Sequence, residues 1–131
     1  MTQPKQGVIL FAHGSRDPLW RVPMESVAAR VAARNGAVGA DGNVAVRCAY
    51  LELTAPDLPT VAAELASQGV QAVTIVPMFL GAGRHVREDL PALVDDLRAA
   101  HPGVAWQLQR PVGENERLLD LLADIALAPS A

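Results

Sequence analysis

Short runs of β-branched and apolar residues alternate along this chain with longer stretches in which apolar residues return every three or four positions. Residues 8–12, 44–51, 73–76 and 104–108 form the short runs, each bounded by turn formers, and they predict four strands. Between them Met24, Val27, Ala28 and Val31 make an i, i+3, i+4, i+7 stripe, and Leu58, Val61, Ala62 and Leu65 make a second. Val86, Leu90, Leu93, Val94 and Leu97 line one face of a third helix, and Leu118, Leu121, Leu122 and Ile125 one face of a fourth. Gly36 and Gly69 stand where left-handed helix ends belong, and His101-Pro102-Gly103 stops the third helix.

Regular strand-helix alternation predicts an α/β fold: a doubly wound, four-stranded parallel sheet with helices on both faces, because right-handed crossovers are the common way to join parallel strands. The first strand is expected in the middle, between the second and third. The winding direction then reverses between strands one and three, and ligands of open α/β sheets bind beyond the carboxyl ends of the strands at such a reversal. His13 follows the first strand and His85 the third, each among small residues and beside an arginine, Arg16 or Arg84. Glu52 ends the second strand on the same rim. Neighbouring strands lie about 4.8 Å apart, so loops at their ends can bring such residues within ligand distance.

Composition narrows the function classes. With 131 residues, half of them hydrophobic, the chain suits one domain over 1–131, with 1–6 and 128–131 as frayed ends and 36–43 as a glycine-rich connector. A net charge of -3, 4% aromatics and scattered arginines give no footprint for nucleic acid. Cys48 is the single cysteine, so neither an intrachain disulfide nor a cysteine cluster is available, and a structural thiol is expected. The amino terminus makes a poor signal peptide, and the longest apolar stretch, 73–80, contains Pro77 and falls well short of the roughly 20 residues of a membrane span. A soluble, cytoplasmic protein without a membrane partner is the expectation.

Several familiar motifs are missing. Gly81-Ala82-Gly83 runs on into Arg84, His85 and Val86, without the third glycine of a dinucleotide fingerprint, and no Gly-Lys-Ser/Thr phosphate loop exists. Ala12 stands before His13 where a phosphohistidine phosphatase has arginine. Ser15 lacks the Gly-x-Ser-x-Gly frame of a hydrolase elbow and is expected to bond backbone or cap a turn. Trp20 is expected to pack under the first helix, and His101 to be an ordinary helix-end residue.

What is present is a set of three motifs: His13-Gly-Ser-Arg-Asp17, Leu51-Glu52, and Pro77-Met-Phe-Leu-Gly-Ala-Gly-Arg-His85. In order and spacing the chain resembles the small sirohydrochlorin chelatases, the CbiX-type class II tetrapyrrole chelatases, over nearly its whole length. The resemblance implies a chelatase-like, flavodoxin-like half unit. It also implies insertion of a divalent metal, Co2+ or else Fe2+ or Ni2+, into a sirohydrochlorin-type tetrapyrrole on the way to cobalamin or sirohaem. The metal is then a substrate, and no organic cofactor is implied. Longer relatives carry two such units in one chain, so a single unit implies a homodimer with the substrate in a cleft between or beside the copies.

The chemistry suits these residue types. An imidazole of ordinary pKa, about 6.5, serves near neutral pH as metal ligand or proton acceptor, and nitrogen ligands fit cobalt, nickel and iron. His13 and His85 are thus the candidate metal ligands and, with Glu52, the candidate catalytic residues; Glu52 is left open as third ligand, orienting group or proton acceptor. Arg16 and Arg84 are candidate partners for the carboxylates around the macrocycle. Arg87 has a competing role as a solvated helix residue beside Glu88 and Asp89. Gly81, Ala82 and Gly83 would let the macrocycle approach bare backbone, and Met78, Phe79 and Leu80 would supply an apolar wall, core or dimer contacts. The reading from another class is a non-catalytic metal or tetrapyrrole carrier of the same fold.

Overall fold

The computed structural model describes residues 5–34 and 44–128. Its elements run β1 (Gln6–Ala12), α1 (Val22–Arg34), β2 (Val44–Tyr50), α2 (Leu58–Ser67), β3 (Ala72–Pro77), α3 (Arg84–Ala100), β4 (Ala105–Leu108), a 3-10 turn (Val112–Glu114) and α4 (Glu116–Leu127). All strands are parallel in the order β2-β1-β3-β4, with β1 between β2 and β3 as expected.

β1 is sealed on both sides, which is why its sequence is an unbroken apolar run rather than an alternating one. Ile9 and Phe11 face one way, into a core built with Leu58, Val61 and Leu65 of α2 and Leu90, Val94 and Leu97 of α3. Leu10 and Ala12 face the other way, against Met24 of α1 and Tyr50 of β2. Each fully buried aliphatic side chain of this kind contributes about 1.5–3 kcal/mol. Trp20 joins the α1 side, its ring edge-on to Tyr50 at 5.9 Å between centroids, in line with the packing expectation. Burial pushes the Tyr50 phenol up to about 12 and raises the Cys48 thiol, which contacts the Met24 carbonyl at 3.7 Å. Cys48 is thus a packing residue.

Two expectations need correction. β1 starts at Gln6, not residue 8: Gln6 pairs with Val44 and Ala72, and the Lys5 carbonyl accepts from Gln71 and Ala72 N–H, so the end expected to fray at 1–6 carries ladder bonds from Lys5 onward. The apolar stripe of α4 exists but does not enter the core, because the helix sits on the 3-10 turn rather than on the sheet; none of its residues is buried. Gly36, the connector 36–43, and the ends at 1–4 and 129–131 lie outside the described residues. Among the described residues no helix is long and apolar enough to cross a membrane.

Local signals end the helices where the sequence indicates. Gly69, φ +85, closes α2, and His101 caps α3. Asp57 starts α2, its carboxylate accepting from Thr60 N–H at 2.9 Å with Pro59 in the first turn. Hydrogen bonds from the Thr60 hydroxyl and N–H hold the Asp57 carboxyl below its usual range. A depressed folded pKa stabilises above the unfolded value, and that contribution is lost as pH falls through the folded one. Asp57→Ala is therefore expected to cost about 1 kcal/mol at pH 7, and Asp57→Asn much less. Urea denaturation should show the gap between wild type and Asp57→Ala closing below the ordinary aspartate pKa of about 3.9.

Candidate active site

The loops at the carboxyl ends of β1 and β2 are joined by main-chain bonds that continue the ladder past the strands. Leu51 N–H donates to the Ala12 carbonyl at 2.9 Å, and Glu52 N–H to the His13 carbonyl at 3.0 Å. Gly14 makes this approach possible. It is buried at φ +104, and a Cβ there would sit 1.7 Å from the Glu52 carbonyl oxygen. One residue on, the Thr54 hydroxyl accepts from Ser15 N–H at 2.9 Å and donates to the Ser15 carbonyl at 2.7 Å. Leu53, between the two staples, takes a left-handed φ of 64.

The product of this stitching is a side-chain pair: His13 Nε2 lies 3.3 Å from Glu52 Oε1, with both groups about half exposed. The imidazole is also backed from below. Met78 N–H donates to the Phe11 carbonyl at 2.8 Å and carries the β1–β3 ladder into the next loop. Phe79 is buried there, edge-on to Phe11 at 6.4 Å and to the His13 ring at 6.2 Å between centroids. A pair of titratable groups thus stands on the rim with one edge resting on the core.

His85 is placed differently. It occupies the first turn of α3, exposed, after the Gly83 N-cap. Among the described residues no three His, Cys, Asp or Glu side chains lie close enough to hold one ion together. The structure therefore joins His13 with Glu52 and leaves His85 outside their cluster. Arg84 pairs with Glu88 at 3.0 Å one helical turn on and is largely exposed, while Arg16 is exposed without an ion pair among the described residues. A Cβ on Gly81 or Gly83 would meet nothing within 4 Å, so neither glycine is required by packing, and Ala82 between them is half-buried. Ser15 bonds backbone as expected, its hydroxyl accepting from Asp17 N–H at 3.1 Å.

Sequence reasoning missed Thr54, which carries no motif signal because its partner is 39 residues away. It also missed Gly113, whose N–H donates to the Phe79 carbonyl at 2.9 Å and whose Cβ would lie 1.7 Å from the Leu80 carbonyl oxygen. The 3-10 turn is thereby seated on the loop after β3.

The fold agrees with that of similar chains. The CbiX family model matches residues 7–127. The chain belongs to the CbiX family. A crystal structure of a CbiX protein assigned to cobalamin biosynthesis in Marinobacter aquaeolei VT8 is 39% identical, with a TM-score of 0.74 over 92% of this chain and 93% of that one. The sirohydrochlorin cobaltochelatase of Sulfurisphaera tokodaii is 27% identical over 90% of this chain and 88% of its own length. The chloroplastic sirohydrochlorin ferrochelatase of Arabidopsis thaliana is 28% identical, but this chain spans 50% of it. The fold also matches SirB of Bacillus subtilis subspecies spizizenii, solved with cobalt, at a TM-score of 0.67 and 24% identity, over 51% of that chain. CbiX relatives thus include chains of this size and chains twice as long.

Within this CbiX unit the Gly14 contact generates a test. Gly14→Ala must open the main-chain bonds between the first two loops; left-handed strain alone costs about 1–3 kcal/mol, and the overlap with Glu52 adds to it. Thermal unfolding should show a clear loss of stability, and tetrapyrrole metallation a larger loss than the stability change explains. Gly81→Ala should leave the melting temperature within about two degrees, since it meets open space.

Proposed function

We propose that this chain is a sirohydrochlorin chelatase that inserts a divalent metal, Co2+ in preference to Fe2+ or Ni2+, in cobalamin or sirohaem biosynthesis. The observation that carries the reading is the His13–Glu52 pair on the carboxyl rim of a CbiX-family sheet. Cobalt is favoured by the cobaltochelatase relatives of similar length.

Metal insertion breaks two pyrrole N–H bonds; the electron pairs stay on nitrogen and bind M2+, and two protons leave. His13 is suited to accept one proton on its imidazole, and Glu52, whose carboxylate lies 3.3 Å from Nε2, to stabilise the resulting imidazolium as a charge-assisted partner, while the second proton passes to solvent. The same imidazole can bind the incoming ion before the tetrapyrrole takes it. His85 is assigned as the second metal ligand, an exposed nitrogen on the neighbouring loop-helix junction. An open, incomplete ligand set holds a metal without trapping it. Arg16 and Arg84 are assigned to substrate carboxylates, Arg84 by exchanging Glu88 for the ligand. Gly81 and Gly83 support a close macrocycle because the fold itself leaves space above them. No organic cofactor enters this scheme, and the lone free thiol of Cys48 suits a reducing cytoplasm.

We further assign a homodimer. Leu119, Leu121, Leu122, Ile125 and Leu127 of α4 are all exposed, more apolar surface than a lone helix end leaves to water without a partner. The occupant proposed is a second copy of this chain, a reading supported by relatives about twice its length, of which it spans half.

Anaerobic absorbance assays with sirohydrochlorin and excess Co2+, Fe2+ or Ni2+ test the reading. Wild type should form many equivalents of product per site above the spontaneous rate. His13→Ala should lower that rate by about a hundredfold or more, the usual scale of a lost acid–base group, and His85→Ala should raise the KM for metal. Binding without turnover would replace the enzyme by a carrier. For the assembly, Leu121→Asp with Ile125→Asp should convert a dimer to a monomer by light scattering; an unchanged mass would remove α4 from the interface.

A further inference from the structure

The rim has a concave feature away from the His13–Glu52 pair, neither of which lines it. An open cleft of about 220 Å3 lies between the first turns of α3 and the segment that follows β4. Leu90, Pro91, Leu108 and Pro111 line it with apolar surface, and Arg87 and Arg110 line it with charge.

Neither guanidinium has a carboxylate partner among the described residues, whereas Arg21, Arg47, Arg84 and Arg98 each have one. The reason is local. On a helix the partners of Arg87 would stand three or four residues away, and those positions hold Gly83, Arg84, Leu90 and Pro91. Glu88, the nearest acid in sequence, is engaged by Arg84. Arg110 stands where β4 has ended: Gln109 N–H still donates to the Ile75 carbonyl at 3.0 Å, and Pro111 then turns the chain into the 3-10 turn.

The cleft is firmly built. The chain just beyond its lining residue Pro111 is anchored by Gly113 N–H on the Phe79 carbonyl at 2.9 Å, on the same loop that backs His13. It also lies on the right side. β4 is two strands from β1 in the order β2-β1-β3-β4, so at about 4.8 Å per strand the cleft is offset by roughly 10 Å from the line of His13, where a peripheral arm rather than the ring nitrogens would reach.

We propose that this cleft is a carboxylate subsite in which Arg87 and Arg110 together hold one peripheral acid arm of the tetrapyrrole, with the arm's methylene stem on the apolar floor. Two unpaired guanidinium groups match a carboxylate in two-point geometry, and the apolar floor distinguishes an aliphatic acid from a bare inorganic anion. The inference rests on the chelatase reading above and adds to it Arg110, which lies outside all three sequence motifs.

The test uses the full chain as Arg87→Gln, Arg110→Gln, the double variant and Arg110→Lys. Metal-free sirohydrochlorin is titrated anaerobically by absorbance, and steady-state KM for sirohydrochlorin and for Co2+ are measured with kcat. Each single Gln variant is expected to weaken sirohydrochlorin binding and raise its KM about tenfold. The double variant should do more and Arg110→Lys less, with kcat and the KM for Co2+ nearly unmoved. Unchanged titration and KM in the double variant, beside a normally active wild type, overturn the subsite. A fall in light-scattering mass that accounts for the loss also overturns it, since the arginines would then be meeting a carboxylate of the second copy. A wild type that neither binds nor metallates sirohydrochlorin overturns the chelatase reading itself.

Discussion

The His13–Glu52 pair depends on one main-chain contact, the closure of the His13 loop against the backbone of Glu52. A parallel ladder normally ends where its strands end, and the loops beyond diverge. Here the bonds from Leu51 and Glu52 to Ala12 and His13 carry the pairing onward, and a residue without a Cβ lets the two backbones touch. The distance between imidazole and carboxylate follows from backbone geometry rather than from mutual attraction. That matters because an ion pair between two half-exposed groups is worth little by itself, about 0–1 kcal/mol. The fold holds the pair; the pair does not hold the fold.

The support is layered in sequence as well as in space. β1 supplies His13 and the Phe11 ring, β2 supplies Glu52 and the Thr54 staple, and β3 supplies Phe79. The segment after β4 closes the set by seating Gly113 on the loop after β3. Each strand delivers one component to the same end because all four run parallel.

Much of this was legible in the chain. The strands, the central position of β1, the helix stops at Gly69 and His101 and the convergence of His13 with Glu52 follow from periodicity, turn residues and the rules of parallel sheets. What was not legible depends on distance. Thr54 looks like any loop threonine until its backbone partner is seen, and nothing near Gly113 in sequence announces the Leu80 carbonyl. The placement of α4 escaped for a different reason. Its stripe reports that one face is apolar, but periodicity does not say whether the surface that covers that face belongs to the same molecule. His85 shows the same limit on a smaller scale: its motif places it on the rim, and the length and path of the preceding loop decide how far along.

The loop between β3 and α3 is clamped at Met78 by β1 and at Phe79 and Leu80 by the 3-10 turn, yet at Gly81 and Gly83 it leaves open space where side chains would begin. Its length is therefore set by the framework while its composition is not. Insertions among Met78, Phe79 and Leu80 would break contacts with both the first and the last strand regions, whereas single substitutions at Gly81 or Gly83 would alter only what an approaching molecule meets. Within such a scaffold, preference for one macrocycle or another can drift by point changes over a few exposed positions, at almost no cost to folding.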